Sequence, residues 1–253
     1  MIEKTNALLT KIRQEKPLVL NLTNYVTMDF VANGLLSLGA SPVMSKAEQE
    51  MEDLISIARA VIINLGTLDE SFIKLCALAC KTANQLAIPL ILDPVGVGAS
   101  RYRTNTSLKF IHDFKIAIVR GNASEIMSLA GAAGVTKGVD STAASTEALA
   151  SATFLAENYG VTVAISGKTD VIVDAKQTAQ FEYGSAMMPR VTGTGCLLSA
   201  VVGAFHAVEQ DRFVAAAAAT LFYGICGETA AKQATGPGSF RSAFLDALYT
   251  VVL

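Results

Sequence analysis

The chain has 253 residues, 51% of them hydrophobic, with a formal net charge of -2 and a mean hydropathy of +0.43. No block of Lys or Arg marks a nucleic-acid surface, and Met1 to Glu15 carries charges throughout, without the apolar core of a signal peptide. The best candidate for a spanning helix, Val191 to Val208, is broken by Thr192, Thr194, Ser199 and His206, short of the ~18 uninterrupted apolar residues such a helix needs. The expectation is a cytoplasmic α/β protein whose apolar excess goes into buried parallel strands and a subunit interface.

In chain order, Pro17 to Leu22 reads as a strand and Met28 to Leu38 as a helix. Pro42 to Met44 reads as a short strand, Glu48 to Ala58 as a helix, Val61 to Leu65 as a strand and Leu68 to Leu86 as a helix. Ile88 to Leu92 is a strand ended by Asp93-Pro94. A helix over Thr106 to Asp113, a strand over Ile116 to Val119, a helix over Ala123 to Ala132 and a long helix over Ser141 to Tyr159 follow. Val161 to Ile165 is a strand, Val171 to Val173 and Gln180 to Tyr183 a hairpin, and nearly everything from Thr194 onward helical. The alternation predicts a three-layer α/β/α fold with a mostly parallel central sheet. No linker or repeat interrupts it, so residues 1–253 are expected to form one domain.

The four cysteines, Cys76, Cys80, Cys196 and Cys226, include no C-x-x-C pair. Cys76 and Cys80 share a helix face as small core residues.

Thr192-Gly193-Thr194-Gly195-Cys196 runs straight into an apolar helix. A glycine turn at a helix start leaves N–H groups pointing outward and suits phosphate oxygens; a tight turn that starts a core helix is the other reading. Cys196 has no sequence-near base for thiol chemistry, because His206 lies about 15 Å along the same helix. Asp93, at a strand's carboxyl end, can hold Mg²⁺ through water or serve as a plain turn residue. Arg120-Gly121-Asn122-Ala123-Ser124-Glu125 follows its strand in the same way. Asn122 and Glu125 fit a helix cap or a set that holds metal waters while Arg120 faces phosphate. Ser166-Gly167 is a further polar strand end. Asn24, Met44, Gly66 and Thr67 lie in turns suited to a small neutral ligand.

Together, Asn24-Tyr25-Val26, Gly39-Ala40-Ser41-Pro42-Val43-Met44, Gly66-Thr67-Leu68, Asp93-Pro94-Val95-Gly96, Arg120-Gly121-Asn122-x-x-Glu125, Gly193-Thr194-Gly195-Cys196 and Gly236-Pro237-Gly238-Ser239-Phe240 resemble the hydroxyethylthiazole kinase family, in order along nearly the whole chain. The resemblance implies a ribokinase-like fold, ATP with Mg²⁺, and phosphorylation of 4-methyl-5-(2-hydroxyethyl)thiazole in thiamine salvage. It also implies a homotrimer with active sites between subunits. Carried across, Arg120 and Ser166 contact ATP, with Asn122 on the same side. Met44 and Gly193 contact the thiazole alcohol. Asn24, Gly66 and Thr67 help form its pocket, and Asp93 and Glu125 hold the metal's water shell. The amides from Gly193 through Gly195 to Cys196 take up charge on the transferring phosphoryl group. Cys196 stands where ribokinase-like enzymes usually carry an Asp base, and Ser166 where family members often place Thr. A kinase for a pyrimidine or pyridoxal alcohol, a lyase on the same fold, and a metabolite-binding module are the competing readings.

Overall fold

Alternating strands and helices build one sheet with helices on both faces. In a computed structural model that describes residues 1–131 and 148–253, the strands are β1 (Leu18–Leu22), β2 (Ser41–Val43), β3 (Ala60–Asn64), β4 (Leu90–Asp93), β5 (Ile118–Asn122), β6 (Thr162–Ser166), β7 (Asp170–Val173) and β8 (Thr178–Phe181). The helices are α1 (Ile2–Glu15), α2 (Met28–Leu38), α3 (Met51–Ile57), α4 (Glu70–Gln85), α5 (Arg101–Asp113), α6 (Ala123–Leu129), α7 (Leu149–Tyr159), α8 (Thr194–His206), α9 (Arg212–Gln233) and α10 (Pro237–Thr250). The sheet order is β2-β1-β3-β4-β5-β6-β7-β8. The first six strands pair parallel and the β7–β8 hairpin adds antiparallel at one edge.

Successive strand residues point to opposite faces, and both faces are apolar. Ile62, Ile91, Ile118 and Ala164 pack with residues of α1, α2, α8, α9 and α10. Val61, Ile63, Leu90, Leu92, Val119 and Val163 pack with residues of α3 to α7. Double burial explains why these strands read as continuous apolar runs rather than alternating ones.

The elements differ from the sequence reading at four places. The N-terminal charges hid α1, which buries Thr5, Leu8, Leu9 and Ile12 on one stripe. It stops at Lys16, which takes a left-handed conformation before Pro17. Helix α5 starts five residues earlier than expected, because the Ser100 hydroxyl accepts from the Arg103 N–H and caps it. Strand β5 runs through Asn122, so Arg120, Gly121 and Asn122 are its last three residues and not a turn beyond it. Of the helix expected over 141–159, residues 141–147 lie outside the described residues and α7 begins at Leu149.

Helix α9 is long and apolar enough to cross a membrane by length and composition, yet 78% of its apolar stretch is buried inside the fold. Ala215 to Ala219 are all 0% exposed, so α9 is packed on every side through that run.

Helices α2, α9 and α10 meet at a ring cluster. Phe244 stacks on Phe240 at 5.6 Å and meets Tyr223 edge-on at 4.8 Å and Phe30 at 6.5 Å. Phe244 is fully buried, so Phe244→Ala is expected to cost about 3–5 kcal/mol. Urea unfolding checks this: the midpoint should fall with the slope unchanged, and an unshifted midpoint would mean the cluster collapses without loss.

Candidate active site

Residue parity puts one set of polar side chains on the α8 side of the sheet at the strands' carboxyl ends. In β3, β4 and β5 the residues two positions before the polar one, Ile62, Ile91 and Ile118, face that side. Asn64, Asp93 and Arg120 therefore face it too. In β6, Ala164 faces it, and so does Ser166. The chain leaves β1 toward β2 on one side and returns to β3 on the other, with α2 and α3 on opposite faces. That reversal opens a crevice between β1 and β3, where open α/β sheets bind ligands.

A hydrogen-bonded chain crosses the crevice. Asn24, just past β1, donates through Nδ2 to Asn64 Oδ1 at 2.9 Å. Asn64 donates through Nδ2 to Asp93 Oδ2 at 2.8 Å. Ser199 of α8 donates to the same Asp93 oxygen at 2.7 Å. The Arg120 Nη1 stands 3.8 Å from it. Asp93 is completely buried, and its Oδ1 has no hydrogen-bond partner among the described residues. The Nε of Arg120 is also buried without one, while its Nη2 donates to the Ser166 hydroxyl. Orphaned buried polar atoms are costly and uncommon, so this pair points to a ligand that carries both donor and acceptor capacity. Burial pushes the Asp93 carboxyl up, and Arg120, Ser199 and Asn64 pull it back.

Helix α8 supplies the opposite wall. Its cap residue Gly193 has φ +97°, and a side chain there would press on Thr27 and Phe30. Glycine serves both the turn and the close approach. The first α8 amide bonded back into the helix is that of Leu197, to the Gly193 carbonyl at 2.8 Å. The Gly195 and Cys196 amides precede it, at the positive end of the helix dipole. A Cβ at Gly195 would stand 2.7 Å from the Arg120 Nη1. The missing side chain lets the guanidinium lie against the helix start, so both sets of donors converge on one anion position. Tyr223 of α9 holds this turn from behind, donating to the Thr194 carbonyl at 2.6 Å.

Glu125 is buried beside the site. Its Oε1 accepts from the Gly96 amide at 2.8 Å and its Oε2 from the Asn122 amide at 2.9 Å. The Asn122 side chain accepts in return from the Glu125 amide at 3.0 Å, so the expected helix cap is formed. Burial, and then the charge of Asp93, push Glu125 up to about 7.

Gly66 and Thr67 flank the crevice from the β3 side. The Gly66 amide donates to Asn64 Oδ1 at 3.0 Å, and a Cβ there would stand 2.8 Å from the Asn24 amide nitrogen. The Thr67 hydroxyl accepts from the Tyr25 amide at 3.3 Å. Met44 sits just past β2, half-buried. Cys196 takes a hydrogen bond from Asn24 at 3.3 Å. Burial and the Asp93 charge raise its thiol, so it is protonated at neutral pH. His206 is engaged with the Glu209 carbonyl at the far end of α8, and His112 with Asp113. No histidine serves Cys196 as a base.

The structure thus brings Asn24, Gly66, Asp93, Arg120, Ser166, Gly195 and Cys196 to one place and sets Glu125 behind it. Ser199 and Tyr223 join the site with no expectation from the sequence. Ser199 carries a signal as a lone hydroxyl one turn past Cys196 in an apolar helix, whereas Tyr223 acts through a tertiary contact with no local signal.

Residues 9–253 match the model of the hydroxyethylthiazole kinase family. Hydroxyethylthiazole kinase of Vibrio campbellii is 49% identical, over 98% of this chain and 94% of that protein. The enzyme of Desulfotalea psychrophila is 45% identical, over 96% and 89%. The structure of the hydroxyethylthiazole kinase protein from Pyrococcus horikoshii superposes with a TM-score of 0.91 at 38% identity, covering 99% of this chain and 94% of that one. A ribokinase-like superfamily protein from Enterococcus faecalis has a TM-score of 0.68 at 14% identity, over 96% and 93%, and shares the fold.

Glu125 titrates near 7 in the folded protein against 4.5 ordinarily. The stability of this folded site is therefore fully present below the ordinary value and lost as pH rises through about 7. In urea unfolding of the ligand-free protein, stability should decline over that window. Glu125→Gln should start lower at the acid end, since an amide oxygen accepts from only one side of the cap, but decline less steeply. Equal slopes would show that Glu125 is ionised throughout.

Proposed function

The chain belongs to the hydroxyethylthiazole kinase family, and we propose that it moves the γ-phosphoryl group of ATP onto the hydroxyl of 4-methyl-5-(2-hydroxyethyl)thiazole through the site at the carboxyl edge of its ribokinase-like sheet. The observation that carries this reading is the convergence of Arg120 and the first α8 amides over Gly195, beside the unpartnered oxygen of Asp93. Phosphoryl transfer asks for alignment and charge neutralisation more than covalent chemistry, and these residues offer both.

In this reading the strand order divides the labour. Asn24, Met44, Gly66, Thr67 and Gly193 take the thiazole alcohol around the β1–β3 crevice. Arg120, Asn122 and Ser166 take the nucleotide at β5 and β6. Asp93 and Glu125 lie between them. Mg²⁺ fits this donor set: among the described residues no three His, Cys, Asp or Glu side chains converge, and Mg²⁺ in phosphate sites takes one or two carboxylates with phosphates and waters. Asp93 would hold it through Oδ1, and Glu125 through its water, because both Glu125 oxygens already accept backbone amides. The ion would supply positive charge against the phosphate oxygens. Arg120 and the Gly195 and Cys196 amides would hold the transferring group, and Asn24 and Cys196 would orient the alcohol. A protonated thiol is a poor base, so Cys196 acts by placement.

We read residues 1–253 as one kinase domain, working in the cytoplasm where ATP is supplied. Tyr25 and Val26 are 56% and 70% exposed directly beside the buried Asn24. Apolar residues left open at the rim of a substrate pocket support a homotrimer in which the neighbouring subunit completes that pocket.

Incubation with ATP, Mg²⁺ and the thiazole alcohol should give the phosphorylated alcohol by mass, dependent on all three. Turnover only on a pyrimidine or pyridoxal alcohol would discard the substrate and keep the kinase. Asp93→Asn should lower kcat about a hundredfold or more, the scale of losing a group aimed at transition-state charge. Cys196→Asp should keep or raise kcat, since it supplies a base where none now acts. A collapse of turnover in folded C196D protein would give the thiol a chemical role.

A further inference from the structure

The guanidinium of Arg103, in the first turn of α5, donates to three backbone carbonyls: Leu65 at 2.9 Å, Val95 at 2.8 Å and Gly66 at 2.8 Å. Two of these carbonyls belong to the loop after β3 and one to the loop after β4. The sheet ladder between those strands ends with the Leu65 amide on the Asp93 carbonyl at 3.0 Å. Beyond that rung the loops share no further backbone bond that would hold them in step, and Arg103 bridges them instead. What hangs on each loop matters. The Gly66 amide holds Asn64 Oδ1, and Gly66 backs onto Asn24. The Gly96 amide holds Glu125. Gly96 itself has φ +73°, and a Cβ there would stand 3.2 Å from the Arg103 side chain, so a glycine makes the room.

The placement of this cation is otherwise unfavourable. A positive charge in the first turn of a helix opposes the dipole, and among the described residues the Arg103 guanidinium makes no ion pair. Its guanidinium is held by three carbonyls, reached from two nitrogens of the planar fork, a spread that the single nitrogen of a lysine does not reproduce.

We infer that Arg103 is a positioning residue for phosphoryl transfer: it locks the substrate-side loop 65–67 to the carboxylate-side loop 94–96, so that the alcohol and the metal-held phosphates stay aligned. This deepens the kinase reading and rests on it. The effect is geometric, and a displacement of about 1 Å at a reacting centre can cost on the order of a hundredfold in rate.

The test compares wild type, Arg103→Ala and Arg103→Lys. R103A should lose about a hundredfold in kcat/KM for the thiazole alcohol. Its KM for that alcohol and its half-saturating Mg²⁺ concentration should rise together, with the KM for ATP moving least. Added guanidinium ion at non-denaturing concentration should restore part of the loss in R103A and none in wild type. R103K, which keeps the charge but cannot reach all three carbonyls, should fall between, and carries the same paired criterion if R103A does not fold. Hydrogen exchange on the ligand-free, metal-free proteins gives a second readout: amides of 65–68 and 95–98 should exchange faster together in the variants, with the β7–β8 hairpin unchanged. If wild type fails to phosphorylate the thiazole alcohol, the substrate reading is lost and exchange alone decides Arg103. Variants whose KM and Mg²⁺ requirement match wild type, with only a lower melting temperature, would overturn the inference. So would loosening confined to one loop.

Discussion

One oxygen of one buried carboxylate organises the site. Asp93 Oδ2 receives Asn64 from the neighbouring strand and Ser199 from α8, with Arg120 at 3.8 Å. Those contacts fix the distance between the sheet edge and the helix start, and they turn the other oxygen, Oδ1, to a position that none of the described residues fills. Asn64 passes the constraint on to Asn24, and Asn24 to Cys196. The substrate end, the carboxylate centre and the anion-binding turn are thus parts of one hydrogen-bonded object.

Such an object is expensive to fold. A buried charged pair gains little net stability over an apolar one, and unpaired atoms within it cost more. The raised carboxyls of Asp93 and Glu125 record that cost, with burial the leading cause in each. The apolar clusters on the two faces offset it: most of α8 and α9 is buried on one side of the sheet, and most of α6 and one face of α4 on the other. The same helix that anchors the core also opens the anion site, because Gly193 and Gly195 give its first turn no side chains to cover the amides. In the proposed reaction, Asp93 Oδ1 and Arg120 Nε would find their missing partners in the metal's shell and the phosphate oxygens.

Much of this was legible in the residues. The strand–helix alternation, the glycine turn before α8 and the polar residues ending apolar strands carry physical signals that survive without coordinates. The Asn122–Glu125 spacing read both as a cap and as a site, and the structure forms the cap while keeping Glu125 within reach of the Asp93 charge. What was hidden depended on contacts between distant segments. The stripe of α1 was masked by its charged face. Arg120 looked like a turn residue because a charge at the end of a buried strand defies strand composition; Asp93 and Ser166, reached only after folding, make it tolerable there. The side chains of Arg103 and Tyr223 donate to backbone carbonyls elsewhere in the chain, and no local pattern announces such acceptors.

The claim that the orphaned atoms mark the seat of the transferring phosphoryl group is tested most directly by a crystal structure with a non-hydrolysable ATP analogue, Mg²⁺ and the thiazole alcohol. The γ-phosphate oxygens are expected within hydrogen-bond distance of the Gly195 and Cys196 amides and of Arg120 Nε, with Asp93 Oδ1 on the metal or its water. A γ-phosphate seated elsewhere, with Oδ1 and Nε still unpartnered, would contradict it.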